Sequence, residues 1–284
     1  MFIKQCKGMQ LDKLPKSKMP YNDKMYYLSK KLDGWYCQIH INHVTKKVQF
    51  YTSGAKEFYL SDIADQLLIA TAPTRMPSLV VEAEYLYHST GKLGSRANSA
   101  KLTTYRTDFE KNIKSKGSKL DSFNIFNIVD DVNDFSERAF YMEQIVDQPN
   151  VKALEQVYIE FSTAVFRVKG WVDKGWEGGM LNDPDVYYQP GKRVNDVIKL
   201  KYRPELIALV LEELEGTGRL EGTIGALHCA LENGVTFKVG SGFDDFMRAQ
   251  WGAFIGHHVE VEFESYSADG VPLQPTLKRR VGDD

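Results

Sequence analysis

The stretch MYYLSKKLDGWYCQIH, residues 25–40, contains two lysines, an acid and a glycine between two apolar segments. Aromatic and β-branched residues on both sides predict strands, and Asp33-Gly34 is typical of the turn between them. Two interpretations of the lysines are open from this stretch alone. They are solvated charges at a hairpin turn, or one of them is a nucleophile. Residues elsewhere in the chain have to decide between the two.

The first two-thirds of the chain mix strand-like and helix-like segments. Strands are predicted at MYYLSKKL, YCQIHINHV, KVQFYTSG, SLVVEAEYLY, FNIFNIV and VIKLKY, which are rich in aromatic and β-branched residues. Helices are predicted at SDIADQLLIATA, with Ser61 as the N-cap, at SERAFYMEQIV and near STAVFRVKGWVDKG. Because successive strands often lack an intervening helix, the pattern favours an α+β fold with antiparallel sheets.

The pattern changes near Arg203-Pro204, where an acidic and glycine-rich stretch begins. Short strands are predicted beyond Gly222 at TIGALHCALE, VTFKVGSG, HHVEVEFESYS and PTLKRRV, with a short helix at SGFDDFMRAQW. Asn233-Gly234 is a strong hairpin signal between the first two. About five short strands with one small helix are typical of an OB-type barrel. We therefore predict two domains, residues 1–203 and 204–284.

Composition is that of an ordinary globular protein, with 43% hydrophobic and 26% charged residues. No apolar run is long enough to cross a bilayer, and the amino-terminal residues lack the features of a secretory signal. We expect a cytoplasmic protein with no membrane partner. Cys6, Cys37 and Cys229 form no CxxC pair, so the sequence suggests neither a disulfide framework nor a zinc site.

Charge is unevenly distributed although the net charge is only -2. Eight basic residues lie between positions 91 and 120, against only Asp108 and Glu110: Lys92, Arg96, Lys101, Arg106, Lys111, Lys114, Lys116 and Lys119. A positive surface of this kind is typical of proteins that bind along a phosphate backbone. A solvated surface with chance clustering is the alternative that this feature alone leaves open.

Chemistry-bearing residues recur at later positions. Glu84 lies in the apolar segment VVEAEYL, where an acid is costly without a partner or a metal. Phe126 lies in FNIFNIVD, and Glu177 lies in GWEGGML before an apolar strand. Lys199 and Lys201 alternate in VIKLKY and therefore project from the same face of one strand. Two lysines on one face of an apolar strand indicate a ligand site.

Taken in order, KLDG, VEAEYL, FNIFN, WEGGML and VIKLKY resemble the nucleotidyltransferase motifs of ATP-dependent DNA ligases. The part from GTIGALHCALENGVTFKVGSGF to VPLQPTLKRRVGDD resembles their OB-fold domain. The resemblance covers nearly the whole chain and is to the compact type known from phages, viruses and bacteria. It implies ATP-dependent sealing of 5′-phosphate/3′-hydroxyl nicks in duplex DNA through lysyl-AMP and a DNA-adenylate. We expect a monomer, in the host-cell cytoplasm if the chain is of phage origin.

The resemblance also implies roles for individual residues. Lys31 is the nucleophile, and nearby positive charge on Lys199, Lys201 and a divalent metal favours the neutral amine that attacks. The residues that bind ATP are Ser29, Glu84, Phe126, Glu177 and Arg279, with Phe126 stacking on adenine and Arg279 in a tail that orients pyrophosphate. Asp33, Glu84 and Glu177 hold Mg²⁺ or Mn²⁺. We expect the basic residues Arg96, Lys101, Lys114 and Lys116 to contact DNA.

Several positions depart from the family pattern. Tyr36 stands where an arginine is usual, and residues 51–54 lack the arginine of the next motif. The other departures are Ser29 in place of an acid, Glu82 in place of aspartate, Asn127 in place of aspartate and Asn182 in place of a basic residue. An RNA ligase or a GTP-using capping-type enzyme therefore stays open as an alternative. A more distant alternative is a non-catalytic OB-fold protein that binds nucleic acid.

Overall fold

A computed structural model describes residues 2–88, 101–130, 132–174, 176–267 and 269–282. The chain divides into two compact units, Met1–Lys201 and Tyr202–Asp284. The sequence predicts this boundary at residue 203. Among the described helices, no segment combines the length and apolar character needed to span a membrane.

The first unit is built on two sheets. The strands are β1 (Lys7–Gln10), β2 (Met25–Lys31), β3 (Trp35–Asn42), β4 (Lys47–Thr52), β5 (Glu57–Phe58), β6 (Ser78–Tyr87), β7 (Asp121–Ile128), β8 (Val151–Ala153), β9 (Val157–Glu160), β10 (Gly178–Asn182) and β11 (Arg193–Leu200). The five-stranded sheet has the order β1-β11-β10-β2-β9, and the six-stranded sheet has the order β5-β4-β3-β6-β7-β8. The neighbours pair antiparallel except β1 with β11 and β7 with β8, which are parallel. This arrangement confirms the predicted α+β class.

In the part of the first unit that the structure describes, four α-helices accompany these sheets: α1 (Ser61–Thr71), α2 (Lys101–Glu110), α3 (Phe135–Glu143) and α4 (Phe161–Val172). The helix predicted at SDIADQLLIATA is confirmed as α1, and its Ile63 and Leu67 are fully buried in the core under the six-stranded sheet. The prediction of Ser61 as the N-cap is wrong, because the helix begins at Ser61 and Leu60 occupies the cap without a side-chain bond. Instead of a side-chain cap, an isolated β-bridge between Leu60 and Ser115 holds the chain at the start of this helix.

The segment between β2 and β3 is a crossing from one sheet to the other. Lys31 ends β2 in the five-stranded sheet, and Trp35 begins β3 in the six-stranded sheet. The interpretation of this segment as a simple hairpin turn is therefore wrong. At Gly34 the chain passes so close to β6 that a Cβ atom would lie 2.4 Å from the Tyr85 carbonyl oxygen. Glycine is required at this position because no side chain fits.

The second unit contains β12 (Glu205–Glu215), β13 (Ile224–Ala230), β14 (Thr236–Val239), α5 (Asp245–Ala249), β15 (His258–Glu262), β16 (Ser265–Tyr266), β17 (Pro272–Leu273) and β18 (Thr276–Arg280). Five strands form an antiparallel sheet in the order β14-β13-β12-β15-β18. The predicted hairpin at Asn233-Gly234 is confirmed, with Gly234 at a φ of 84°. The central strand β12 was not predicted, because its carboxylates gave the segment the composition of an acidic linker.

Candidate active site

The two sheets of the first unit enclose a cavity of about 310 Å³. This volume is in the range typical of small-molecule sites. Ser29, Lys31 and Lys199 line it from the five-stranded sheet, and Glu84 and Phe126 line it from the six-stranded sheet. Five residues predicted from separate segments of the sequence thus meet at one cavity.

Lys31 is joined to a carboxylate that also holds a second predicted lysine. Its Nζ lies 2.5 Å from Glu177 Oε2, and Lys201 Nζ lies 2.5 Å from Glu177 Oε1. Strand pairing accounts for the geometry, since Lys31 is opposite Gly178, the residue that follows Glu177. The carboxylate keeps two ammonium groups together that would otherwise repel each other.

The pairing register of β2, β10 and β11 places a third lysine, Lys199, beside Lys31 and Lys201. Ser29 is opposite Met180 across β2 and β10, and Met180 is opposite Lys199 across β10 and β11. These three side chains therefore share the face on which Lys31 lies. Burial lowers the pKa of Lys199, and the charges of Lys31 and Arg193 lower it further.

Lys30 directs its ammonium away from the Glu177 carboxylate. It contributes to the wall of the cavity, but its ammonium lies 4.2 Å from the centroid of the Trp176 ring and 5.7 Å from that of Trp171. Successive residues of a strand project to opposite faces. Only Lys31 of the two neighbours presents its amine to the Glu177 carboxylate.

Glu84 projects into the cavity from the middle of β6. Its Oε1 accepts a hydrogen bond of 3.0 Å from the main-chain amide of Gly34. Burial raises the pKa of Glu84 to about 7, although the Lys31 charge and the Gly34 amide favour its ionised form. A carboxyl group with this pKa loses its proton near neutral pH, and a nearby cation stabilises the ionised form.

Glu82, two residues before Glu84 on the same strand, is the centre of a buried network. Its Oε1 accepts hydrogen bonds from the hydroxyl groups of Tyr36 (2.7 Å) and Tyr188 (2.8 Å), and its Oε2 accepts one from the Asn127 amide (2.9 Å). Burial raises the pKa of Glu82, and these donors oppose the shift. Three of these four residues, Glu82, Tyr36 and Asn127, are positions that depart from the family pattern, and the structure brings them into one network.

The predicted metal ligands do not form a ready-made site. Among the described residues, no three acid, histidine or cysteine side chains converge as a metal-binding group. The charges of Glu177 and Asp33 both raise the pKa of Glu84, and Asp33 is exposed in the crossing segment. Two carboxylates are nevertheless a donor set that suits Mg²⁺, which completes its shell with water and phosphate oxygens.

The predicted DNA-contacting residues fall on α2 and the loop after it. Lys101 begins α2, with its ammonium 4.9 Å from the Tyr87 ring centroid, and Lys114 and Lys116 are exposed in the loop. Arg96 lies outside the described residues. Arg279 lies in β18 of the second unit, where its Nε is 2.6 Å from Glu260 Oε2.

Three residues that line the cavity were missed by the sequence interpretation. Arg193 was missed because the predicted strand VIKLKY begins at Val197, whereas β11 begins four residues earlier. Its Nη1 donates to the Gly8 carbonyl over 3.1 Å. Arg138 and Tyr188 lie outside every motif and reach the cavity only through the fold.

The two-sheet unit with its lysine cluster, followed by a small β unit, defines a nucleotidyltransferase with an OB-like second domain. Residues 9–201 match the family described as ATP dependent DNA ligase domain, and residues 215–280 match the DNA ligase OB-like domain. The first match alone covers more than half of the chain. The chain therefore belongs to the ATP-dependent DNA ligase family, which confirms the resemblance and the OB-type fold.

Individual relatives agree with this assignment. A DNA ligase of Haemophilus influenzae is 26% identical over 158 residues, which are 52% of this chain and only 58% of that protein. A Lig E DNA ligase, from work on DNA binding with a minimal scaffold, has a TM-score of 0.61 at 19% identity and covers 99% of this chain and 100% of its own. The Chlorella virus DNA ligase-adenylate has a TM-score of 0.52 at 18% identity, with 99% of each chain covered. At these identities, the two structures support the fold alone.

Proposed function

We propose that the protein is an ATP-dependent DNA ligase that seals 5′-phosphate/3′-hydroxyl nicks in duplex DNA and acts as a monomer in the cytoplasm. The observation that carries the proposal is the position of Lys31. Its amine is paired with Glu177 beside a cavity of about 310 Å³, and Lys199 lines the same cavity. A nucleophile, a carboxylate and additional cations in one place suit nucleotidyl transfer.

In the first step, Lys31 Nζ attacks the α-phosphorus of ATP. The N–P bond forms, the P–O bond to the β-phosphate breaks, and pyrophosphate leaves. Lys31 has to leave its ion pair with Glu177 and lose a proton to attack, and this frees the carboxylate for a cation. Lys199 and Lys201 stabilise negative charge on the transferred phosphate.

In the later steps, AMP passes from Lys31 to the 5′-phosphate of the nick. The 3′-hydroxyl then attacks that phosphorus and releases AMP. The lysyl N–P bond is reactive enough for the first of these transfers, which is why a lysine serves as the temporary carrier. Arg193 adds positive charge at the wall of the cavity, where a second phosphate has to bind.

Glu177 and Glu84 are the residues that would hold Mg²⁺ or Mn²⁺, with Asp33 as a candidate for a contact through water. When bound, the metal supplies charge stabilisation at the phosphate oxygens. Ser29 and Phe126 would bind the adenosine, with the Phe126 ring against the base. Arg279 would orient pyrophosphate from the second domain.

We assign the DNA contact to the basic residues of α2 and its loop. The Tyr105 hydroxyl and the Ser118 amide both donate to Asp121, which is 2% exposed, and this anchors the segment to β7. Lys101, Lys114 and Lys116, with Arg96, supply cations for the phosphate backbone. Replacing both Lys114 and Lys116 by alanine should lower the slope of log affinity against log salt concentration by roughly two for nicked duplex.

The test of the function is covalent labelling. Wild type incubated with Mg²⁺ and α-labelled ATP should carry the label, and Lys31→Ala should carry none, whereas Lys30→Ala, which keeps the nucleophile, should still become labelled after a long incubation. Nicked duplex DNA should then remove the label and be sealed. Labelling by GTP in preference to ATP, or removal of the label only by nicked RNA, would favour the alternatives. Absence of any label would overturn the proposal.

A further inference from the structure

Lys31 and Glu177 each have a neighbour that projects to the opposite face of the sheet. On the cavity face, the two residues form the ion pair described above. On the other face, the ammonium of Lys30 lies over the ring of Trp176 at 4.2 Å. The two chain segments are therefore joined on both faces of the sheet at the point where β2 and β10 stop pairing. The last residues in register there are Lys31 and Gly178.

Beyond this point, the strand ladder no longer fixes Glu177. Trp176 is held instead by helix α4, because its main-chain amide donates to the Trp171 carbonyl over 3.1 Å. Close packing of α4 against β10 is set at Gly179, where a Cβ atom would lie 2.5 Å from Val168 of that helix. Trp176 thus connects a rigid element to the residue next to Glu177, and Lys30 connects that tryptophan to the residue next to Lys31.

We propose that Lys30 and Trp176 form a back-face clamp that positions the Glu177 carboxylate relative to the Lys31 amine during nucleotidyl transfer. The inference rests on the proposed function. When Lys31 leaves its ion pair to attack, Glu177 keeps only its pair with Lys201 on the cavity face, and the carboxylate has to stay in place to hold a cation. The clamp acts at this moment, because the cation–π contact on the other face does not take part in the reaction. Both members are positioning residues, because Trp176 does not line the cavity and the Lys30 ammonium lies over its ring.

The test compares disruptive variants with conservative ones. Lys30→Met keeps the aliphatic stem and removes the charge, and Trp176→Leu removes the aromatic face. Both should lower the single-turnover rate of lysine labelling at saturating ATP by about tenfold, the size expected of one cation–π contact. The ATP concentration for half-maximal rate should change less than twofold, whereas the Mg²⁺ concentration for half-maximal rate should rise. Lys30→Arg and Trp176→Phe should recover most of the rate.

Arg167→Met is the matched control, because it removes a cation that lies over the neighbouring Trp171 ring at 5.6 Å and leaves the contact between Lys30 and Trp176 in place. It should label within twofold of wild type. A wild-type rate and Mg²⁺ dependence in Lys30→Met would overturn the clamp while leaving the proposed function intact. Equal losses in Arg167→Met, or no recovery by the two conservative variants, would show a general packing effect and also overturn it. If wild type itself takes no label, the proposed function fails first.

Discussion

Glu82 and Glu84 are two residues apart on one strand and line the same cavity, yet their surroundings differ. Glu82 is 1% exposed and surrounded by neutral donors, so each of its oxygens has a hydrogen-bond partner. Glu84 accepts one hydrogen bond from a main-chain amide and lies among charges that oppose one another. Across the cavity, Glu177 lies between two lysine ammonium groups.

This difference in hydrogen bonding and neighbouring charge distinguishes a structural carboxylate, Glu82, from two reactive ones, Glu84 and Glu177. A buried acid whose two oxygens both accept hydrogen bonds holds strands together and has little bonding capacity left for a ligand. An acid that accepts a single hydrogen bond has capacity left for a cation or a substrate. Loss of Glu82 should therefore affect the stability of the fold, whereas loss of Glu177 should affect the reaction.

The largest expected effect follows removal of the charge between the two lysines. In Glu177→Ala, the rate of lysine labelling should fall by about 100- to 1,000-fold, since the carboxylate positions the nucleophile and would hold the metal. The free energy of unfolding should change by less than about 1 kcal/mol, because the ion pairs are partly exposed. Labelling kinetics and urea unfolding measure the two quantities.

Lys24→Met is the control for this variant. It removes an ion pair of the same length, Lys24 to Asp183 at 2.5 Å, beside the same sheet but away from the amine of Lys31. Its labelling rate should stay within about twofold of wild type. A similar loss in both variants would place the effect of Glu177 on the fold and remove the contrast with Glu82.

The next effect in size concerns stability. Glu82→Ala removes the acceptor of the Tyr36 hydroxyl and of the Asn127 amide, and leaves the Tyr188 hydroxyl only its longer bond of 3.3 Å to the Lys4 carbonyl. The free energy of unfolding should fall by about 3 kcal/mol, as expected for unsatisfied buried donors. Tyr36→Phe removes one donor alone and should cost about 1 kcal/mol. Urea unfolding of both variants checks the order, and an unchanged Glu82→Ala would contradict the structural role.

The smallest effect is a dependence of stability on pH. The pKa of Glu84 is raised from an ordinary 4.5 to about 7, so the folded state binds this proton more tightly than the unfolded state. Stability of the wild type should therefore fall as pH rises from about 4.5 to about 7 and then level off. Glu84→Gln lacks this loss and should be more stable than wild type above pH 7 by on the order of 2 kcal/mol. Unfolding curves of the two proteins at pH 5 to 8, without nucleotide or metal, should diverge, and parallel curves would refute the raised pKa.

Much of the fold was predictable because strand and helix patterns are local. The period of two in VIKLKY placed Lys199 and Lys201 on one face, and the structure keeps the buried Leu200 between them. Asn233-Gly234 fixed a hairpin because its backbone preference does not depend on distant residues. The strand β12 escaped prediction because exposed carboxylates on a strand have the composition of a linker.

The sequence by itself predicted a set of site residues, since the order of the lysine and acid motifs pointed to Lys31, Glu84, Glu177 and the later lysines. Only the tertiary structure decided that the Lys31 segment crosses between two sheets, that Lys30 lies on the opposite face, and that Glu82 is tied to Tyr36 and Tyr188. The physical reason is the separation in sequence between the residues that interact. Strand periodicity is set by adjacent residues, whereas partners 106 positions apart, as Glu82 and Tyr188 are, meet only when the sheets pack.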